Sequence, residues 1–277
     1  MNKRTVRERK RKNKPPLGQN FLMDRAVLRK IVALLEPEPG MAVLEIGAGP
    51  GYLTALLEES GLRVTAVEID SYYYKLLAAT QKENVRIIPG DILALDLFQE
   101  AKKSLNPGEA WKVVGNLPFA VSTAILQRLF AFRSLFSNMV LMFQKEVADR
   151  LTADPGSKQY GYLTVETGFY CQTEKAFLVP GRKFKPAPRV DARLLKLAIR
   201  KKPPVPVSDP ADFLAFVKKS FAERRKTLVN NLSSACPGVS REAMKDRLLS
   251  MHLSPSVRAE VLSLEQFAEL YLSLAKK

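Results

Sequence analysis

The chain is poor in the residues that most often carry acid–base, redox or metal chemistry. Its 277 residues include one histidine, His252, and two cysteines, Cys171 and Cys236. Two cysteines fit no metal-ligand spacing and build no disulfide framework, so no metal site and no stapled secreted domain is expected. A lone histidine in a helical stretch is far more often packing or surface than catalytic, and His252 is given no role. No apolar run approaches the roughly 20 residues that cross a bilayer. The first residues are too basic and polar to contain a signal-peptide core. A cytoplasmic protein without membrane attachment is expected. Acids are scarce as well: 28 against 44 Lys and Arg, a net charge of +16.

That excess points to a polyanionic partner, because clustered cations displace counterions from phosphates. Positions 3 to 14 carry eight basic residues against Glu8 alone, and 182 to 202 carry nine against Asp191. Lys218, Lys219, Arg224, Arg225 and Lys226 form a third group. Three separate clusters suit a long nucleic acid better than a small acidic substrate. A merely solvated surface is the plain alternative.

Residues 1–16 read as a disordered basic arm closed by Pro15-Pro16. Asp24 then caps an amphipathic helix with Val27, Leu28, Ile31, Val32 and Leu35 on one stripe. From 41 onward, strand candidates at 42–46, 63–69, 85–88, 111–115 and 138–143 alternate with helical patterns near 52–60, 71–80, 122–132 and 144–153. Such alternation predicts an α/β domain with a parallel sheet and helices on both faces. Runs at 162–170, 174–179 and 192–199 are expected as antiparallel strands completing the sheet edge. The Pro-rich 201–207 reads as a linker, and 208–277 as a small all-α domain.

Chemistry concentrates at two places. Val43-Leu-Glu-Ile-Gly-Ala-Gly-Pro-Gly51 is an apolar strand that ends in an acid and three alternate glycines, with a helical segment starting at Tyr52. The third glycine falls one position early for a dinucleotide fingerprint. The G-x-G-x-G form is similar to motif I of S-adenosylmethionine-dependent methyltransferases. The next strand ends in Glu68 and Asp70, and a carboxylate there can accept both ribose hydroxyls of a nucleoside-type cofactor. The second place is Gly115-Asn-Leu-Pro-Phe119, after the strand Trp111-Lys-Val-Val. The exocyclic amine of adenine is a poor nucleophile because its lone pair is delocalised into the ring. Hydrogen bonds accepted by the Asn116 side chain and by a backbone carbonyl such as Leu117 would hold that nitrogen nearer to tetrahedral. The Phe119 ring would stack on the extracted base. No ionisable base is needed, since the proton becomes acidic once nitrogen carries positive charge. The bland reading is a Pro-containing turn with Phe119 in the core.

Asn116-Leu-Pro-Phe119 resembles the (N/D/S)-(I/L/P)-P-(Y/F) motif of adenine N6-methyltransferases. Leu17-Gly-Gln-Asn-Phe-Leu22 is similar to the opening segment of the ribosomal RNA adenine N6,N6-dimethyltransferase family. The similarity continues in Gly90-Asp91-Ile-Leu, Gln144-Lys-Glu-Val-Ala-Asp-Arg-Leu151, Tyr160-Gly-Tyr-Leu, Phe184-Lys-Pro-Ala-Pro-Arg-Val-Asp191, Phe221-Ala-Glu-Arg-Arg-Lys-Thr-Leu and Arg258-Ala-Glu-Val-Leu-Ser263. It spans about residues 13 to 275. The family implies a Rossmann-like class I methyltransferase sheet over 17–200, S-adenosyl-L-methionine as cofactor, and a helical domain that binds RNA. It implies cofactor contacts at Gln19, Asn20, Leu22, Gly47, Gly49, Glu68, Asp91 and Asn116, with Glu68 on the ribose and Asp91 on the adenine amine. Catalysis is carried over to Asn116, Leu117, Pro118 and Phe119. RNA contacts are expected at Arg224, Arg225, Lys226, Arg182 and Lys183. Within the family, Asn-Leu-Pro and Arg-Arg-Lys-Thr favour the branch that dimethylates two adjacent adenosines near the 3′ end of 16S rRNA. The partner would be the 30S subunit or its precursor, met by a monomer. The antibiotic-resistance branch, acting on large-subunit rRNA, more often reads Asn-Ile-Pro. Two departures stand out: Phe119 replaces the usual Tyr, and Ala120-Val121 replaces the commoner Asn-Ile. Two rivals stay open, a non-catalytic assembly or transcription factor on this fold and an adenine methyltransferase of duplex DNA.

Overall fold

The structure, a computed structural model, describes residues 19–80, 82–233 and 239–275. The basic arm at 1–16 and Cys236 lie outside them. Among the described residues, no helix is long and apolar enough to cross a membrane.

A short strand β1 (Phe21–Leu22) precedes helix α1 (Arg25–Leu34), which Asp24 caps by accepting the N–H groups of Ala26 and Val27. Leu28, Ile31 and Val32 are its buried stripe. Five strand–helix units follow in alternation: β2 (Ala42–Ile46), α2 (Tyr52–Glu59), β3 (Arg63–Glu68), α3 (Ser71–Ala78), β4 (Val85–Pro89), α4 (Leu97–Ser104), β5 (Trp111–Asn116), α5 (Ser122–Ala131), β6 (Phe136–Gln144) and α6 (Lys145–Leu151). Then come α7 (Tyr162–Tyr170), β7 (Cys171–Val179), β8 (Phe184–Lys185) and β9 (Ala192–Ile199). Helices α8 (Pro210–Ser220), α9 (Leu228–Ser233), α10 (Arg241–Ser250) and α11 (Leu264–Ala275) form the C-terminal part.

The sheet order is β4-β3-β2-β5-β6-β9-β7. Strands β2 to β6 pair in parallel, while β9 runs antiparallel to both β6 and β7. Chain order therefore reverses direction between β2 and β5. Their carboxyl ends, at Ile46 and Asn116, form the crevice where an open α/β sheet binds ligand. Alternate residues of each strand feed two separate cores: Leu44, Ile46, Trp111 and Val113 on one face, Val43, Val64, Val114 and Val140 on the other. A third cluster fills the helical part around Phe213, Val217 and Phe267. Strand β8 leaves the large sheet and pairs with β1, Phe21 opposite Lys185 and Leu22 opposite Phe184. That ribbon fixes the start of the described chain beside the crevice.

One expectation needs correction. Residues 162–170 form helix α7, and only 171–179 and 192–199 supply the antiparallel strands. Helix α7 is buried nearly all round, between the sheet and the helical part: Val165 and Phe169 join the third cluster, and Thr167 is inaccessible. A helix without a polar face shows no 3.6-residue period, and its β-branched and aromatic run reads as strand. Helix α4, capped by Asp96, also went unanticipated: it is only 8 residues long, and of its apolar residues Leu97 and Ala101 alone are buried. Residues 201–207 hold neither helix nor strand, yet Val205 and Val207 are buried in the third cluster.

Candidate active site

The Gly-rich turn connects β2 to α2 with almost no space to spare. Gly51, the N-cap of α2, has φ +86°, and a Cβ there would stand 2.4 Å from Leu77 Cδ2. At Gly49 (φ +54°) a Cβ would meet the Phe21 ring at 3.0 Å. Both glycines have positive φ, so a side chain at either would be strained, and the Leu77 and Phe21 side chains would have to shift to admit it. The Gly49 N–H donates to Glu68 Oε2 at 2.7 Å, and the Asp70 N–H donates to Glu68 Oε1 at 2.7 Å. Glu68 is 2% exposed. Burial raises its pKa, and the two backbone donors oppose that rise. The carboxylate is thus fixed under the loop with lone pairs left for further donors. Asp70, the other acid of the pair, caps α3 through the Tyr72 N–H. A third acid, Glu45, lies wholly inside β2. Burial first, then the nearby Glu68, push it up to about 7, and its Oε2 has no hydrogen-bond partner.

Across the crevice, Asn116 closes β5. Its Nδ2 donates to the Asn20 carbonyl at 2.8 Å. That contact fixes the amide orientation and leaves Oδ1 as the group that can accept from a substrate. The following loop is braced by Val121 N–H to Pro118 O at 3.1 Å and Ser122 Oγ to Phe119 O at 3.2 Å. The half-buried Phe119 meets buried Phe184 edge-on, with centroids 6.5 Å apart. Strand β8 therefore backs the ring proposed to stack on a base.

Of the residues singled out from sequence, Gln19, Asn20, Gly47, Gly49, Glu68 and the run Asn116–Phe119 line one cleft of about 470 Å³, open mouth included. Leu22 lines an adjoining recess together with Glu45 and Gly47. Asp91 stands apart on the exposed turn after β4, where its carboxylate accepts the Leu93 N–H at 2.9 Å. Phe21 and Ile69 were missed and line the same cleft. The signal for Ile69 was available: one apolar residue between two acids at a strand end.

The basic residues fare differently. Helix α8 ends at Ser220, so Phe221 to Lys226 form turns, and Lys218 and Arg225 do not share one helix. Phe221 packs between Tyr160 and Phe267. The Arg224 guanidinium donates to the carbonyls of Lys158 at 2.8 Å and Tyr160 at 3.1 Å, and pairs with Glu260 at 3.2 Å. Lys226 pairs with Glu223 at 2.6 Å, and Arg225 is exposed. Lys183 pairs with Asp24 beside the β1–β8 ribbon, and Arg182 is exposed.

The cleft fits S-adenosylmethionine on three observations: a left-handed glycine turn at its floor, the Glu68 carboxylate fixed by two backbone donors on its wall, and a buried unpartnered Glu45 oxygen in the adjoining recess. Comparisons with known proteins agree. The family described as ribosomal RNA adenine dimethylase matches residues 10–276. The Ribosomal RNA small subunit methyltransferase A of Streptococcus sanguinis is 44% identical over 260 residues, 92% of this chain and 89% of that protein. A dimethyladenosine transferase from Plasmodium falciparum superposes with a TM-score of 0.75 at 24% identity, covering 92% of this chain and 97% of that one. The 23S rRNA methyltransferase ErmE superposes with a TM-score of 0.70 at 26% identity, covering 93% and 100%. With that match running through both the cofactor cleft and the Asn-Leu-Pro-Phe turn, the chain belongs to the ribosomal RNA adenine dimethylase family, enzymes whose methyl donor is S-adenosylmethionine.

Proposed function

We propose that this enzyme dimethylates N6 of two adjacent adenosines near the 3′ end of 16S rRNA, within the small ribosomal subunit or its precursor. It acts as a cytoplasmic monomer. The observation that carries the chemistry is the orientation of Asn116, whose amide nitrogen is spent on Asn20 and whose oxygen is left to accept. When bound, S-adenosylmethionine supplies a methyl group on a sulfonium centre. Asn116 Oδ1 and the Leu117 carbonyl would each accept one N6–H of the unmodified adenine, and one of them the single N–H left for the second transfer, which localises the lone pair toward the donor methyl. Phe119 holds the ring by stacking, and Pro118 keeps the loop in its turn. As the sulfonium–methyl bond broke and left a neutral thioether, the methylated nitrogen would carry the positive charge and shed its N–H proton to solvent, so no nearby histidine is needed. Glu68 takes the ribose hydroxyls, and Asp91 the adenine amine of the cofactor.

Identity favours the small-subunit branch: 44% to the small-subunit relative against 26% to the 23S enzyme. Residues 17–200 hold cofactor and target base, 201–207 link, and 208–277 grip RNA, with the 1–16 arm adding charge. Arg225, Lys226, Arg182 and Lys183 supply phosphate contacts in this reading. The test is incubation with labelled S-adenosylmethionine and unmethylated 30S particles, 50S particles, naked rRNA or duplex DNA. Label confined to paired adenosines of 30S is expected. Label in 50S rRNA or in DNA overturns the branch, and binding of cofactor without transfer anywhere points to an assembly factor.

A further inference from the structure

Strands β1 and β8 have two residues each and, among the described residues, pair only with one another. A two-stranded ribbon that short has little stability of its own. Yet three features of the site hang on it. The Asn20 carbonyl, next to β1, takes the Asn116 amide at 2.8 Å. Phe184 of β8 backs the Phe119 ring, and Phe21 of β1 lines the cleft. A carboxylate beside the ribbon ties both of its strands to α1. Asp24 Oδ1 accepts the N–H groups of Ala26 at 3.1 Å and Val27 at 3.0 Å. Asp24 Oδ2 accepts from the Lys183 ammonium, on the short turn Gly181–Lys183 that leads into β8. Alongside, the Met23 N–H donates to the Lys183 carbonyl at 3.4 Å. Both ends of this tie are anchored. Leu28, Ile31 and Val32 of α1 share a core with Phe184, and Asp191 Oδ1 accepts the Gly181 N–H at 2.9 Å. The Lys183 hydrogen bond, helped by the cap, holds the Asp24 carboxyl below the usual carboxylate range, so it is charged at neutral pH.

We propose that Asp24 is a positioning residue for methyl transfer: one oxygen caps α1, and the other, through Lys183, clamps the β1–β8 ribbon that orients Asn116 and backs Phe119. This inference rests on the roles given above to Asn116 and Phe119. An ion pair at a partly exposed site is weak by itself. Its leverage here is geometric. A rate that needs an amide oxygen and a ring face in place together falls with the fraction of molecules that hold both. Lys183, named above as a phosphate contact, takes an inward-facing task in this inference, and the two roles predict different variants.

The test uses the full chain with saturating labelled S-adenosylmethionine and unmethylated 30S particles. Asp24→Asn keeps the helix cap, since Asn and Asp cap about equally well, and loses the ion pair. Its single-turnover rate should fall about three- to five-fold, the factor that a partly exposed ion pair can supply. Its Tm and its KM for the particle should stay at the parent's values. Lys183→Met should behave in the same way, and Lys183→Arg should restore the rate. The Asp24→Asn/Lys183→Met pair should be no slower than either single variant, because both remove one interaction. Amide hydrogen exchange measured without RNA should speed up by a similar factor over residues 20–24 and 183–186. An unchanged rate in Asp24→Asn overturns the clamp, as does a slower rate without faster exchange. Losses that multiply in the double variant overturn it too. If Lys183→Met raises KM and flattens the salt dependence while Asp24→Asn does neither, Lys183 is a phosphate ligand and the clamp fails. If the parent labels 50S and not 30S, the substrate reading fails on its own, and the exchange data with rates on 50S decide the clamp.

Discussion

Glu68 and Asn116 are both held by the backbone of other segments, and that decides how their variants should behave. Glu68 binds the N–H groups of Gly49 and Asp70. Glu68→Ala therefore removes ribose acceptors and unpins the glycine loop together. Cofactor binding should weaken by about 1.5 to 3 kcal/mol, as for lost charge-assisted hydrogen bonds. An unchanged Kd by calorimetry would take Glu68 out of the site. Among the described residues the Asn116 side chain is held by the Asn20 carbonyl, so Asn116→Ala leaves the basic surface untouched. RNA affinity should hold while turnover falls a hundredfold or more, about 3 kcal/mol in the barrier. A normal single-turnover rate in that variant would show that the amine is not held by this amide. Both residues were legible in sequence because strand ends announce themselves, by an acid or by Asn-Leu-Pro after an apolar run. Phe184 is harder to see. Its contact with Phe119 depends on a two-stranded ribbon linking positions 21 and 185, which no local pattern encodes.

Strands β2 to β6 could be placed from sequence because each is a short apolar run bounded by turn residues. Helix α7 could not, since burial on nearly every side erased its period. Burial also governs β2, whose five residues are all inaccessible although one is Glu45. Folded Glu45 keeps its proton up to about 7, whereas the ordinary value is 4.5. Between those values the native state binds more protons than the unfolded chain, so stability is full below about 4.5 and declines as pH rises through 7. The decline attributable to this one carboxyl is at most about 3 kcal/mol. Glu45→Gln should remove it: parent and variant should denature alike near pH 5, and the variant should hold to higher denaturant at pH 8. Parallel denaturation midpoints of the two proteins from pH 5 to 8 would mean that Glu45 ionises freely in its strand.

At the scale of the whole molecule, charge and architecture meet in the turns after α8. Arg224, Arg225 and Lys226 look equivalent as a basic run, yet the fold separates them. Arg224 fastens the 158–160 loop to the helical part and answers Glu260, beside a Gly156 N–H to Glu260 O contact of 2.7 Å. Arg224→Ala should cost about 1 kcal/mol of stability, because carbonyls lose a charged donor at a half-exposed site. Arg225 and Lys226 face solvent. As phosphate contacts they orient the RNA without reading bases. Replacing both by Ala should weaken 30S binding and flatten its salt dependence by roughly 1.5 to 2 units of slope, one counterion per lost contact. Cofactor affinity should not move, since the cleft is built from the sheet's carboxyl ends and the β1–β8 ribbon. Titrations of 30S binding against salt distinguish the two roles. If Arg224→Ala flattens the slope while the Arg225/Lys226 pair does not, the latch is itself a phosphate ligand. If neither variant changes it, the grip lies in the 182–202 cluster or in the 1–14 arm.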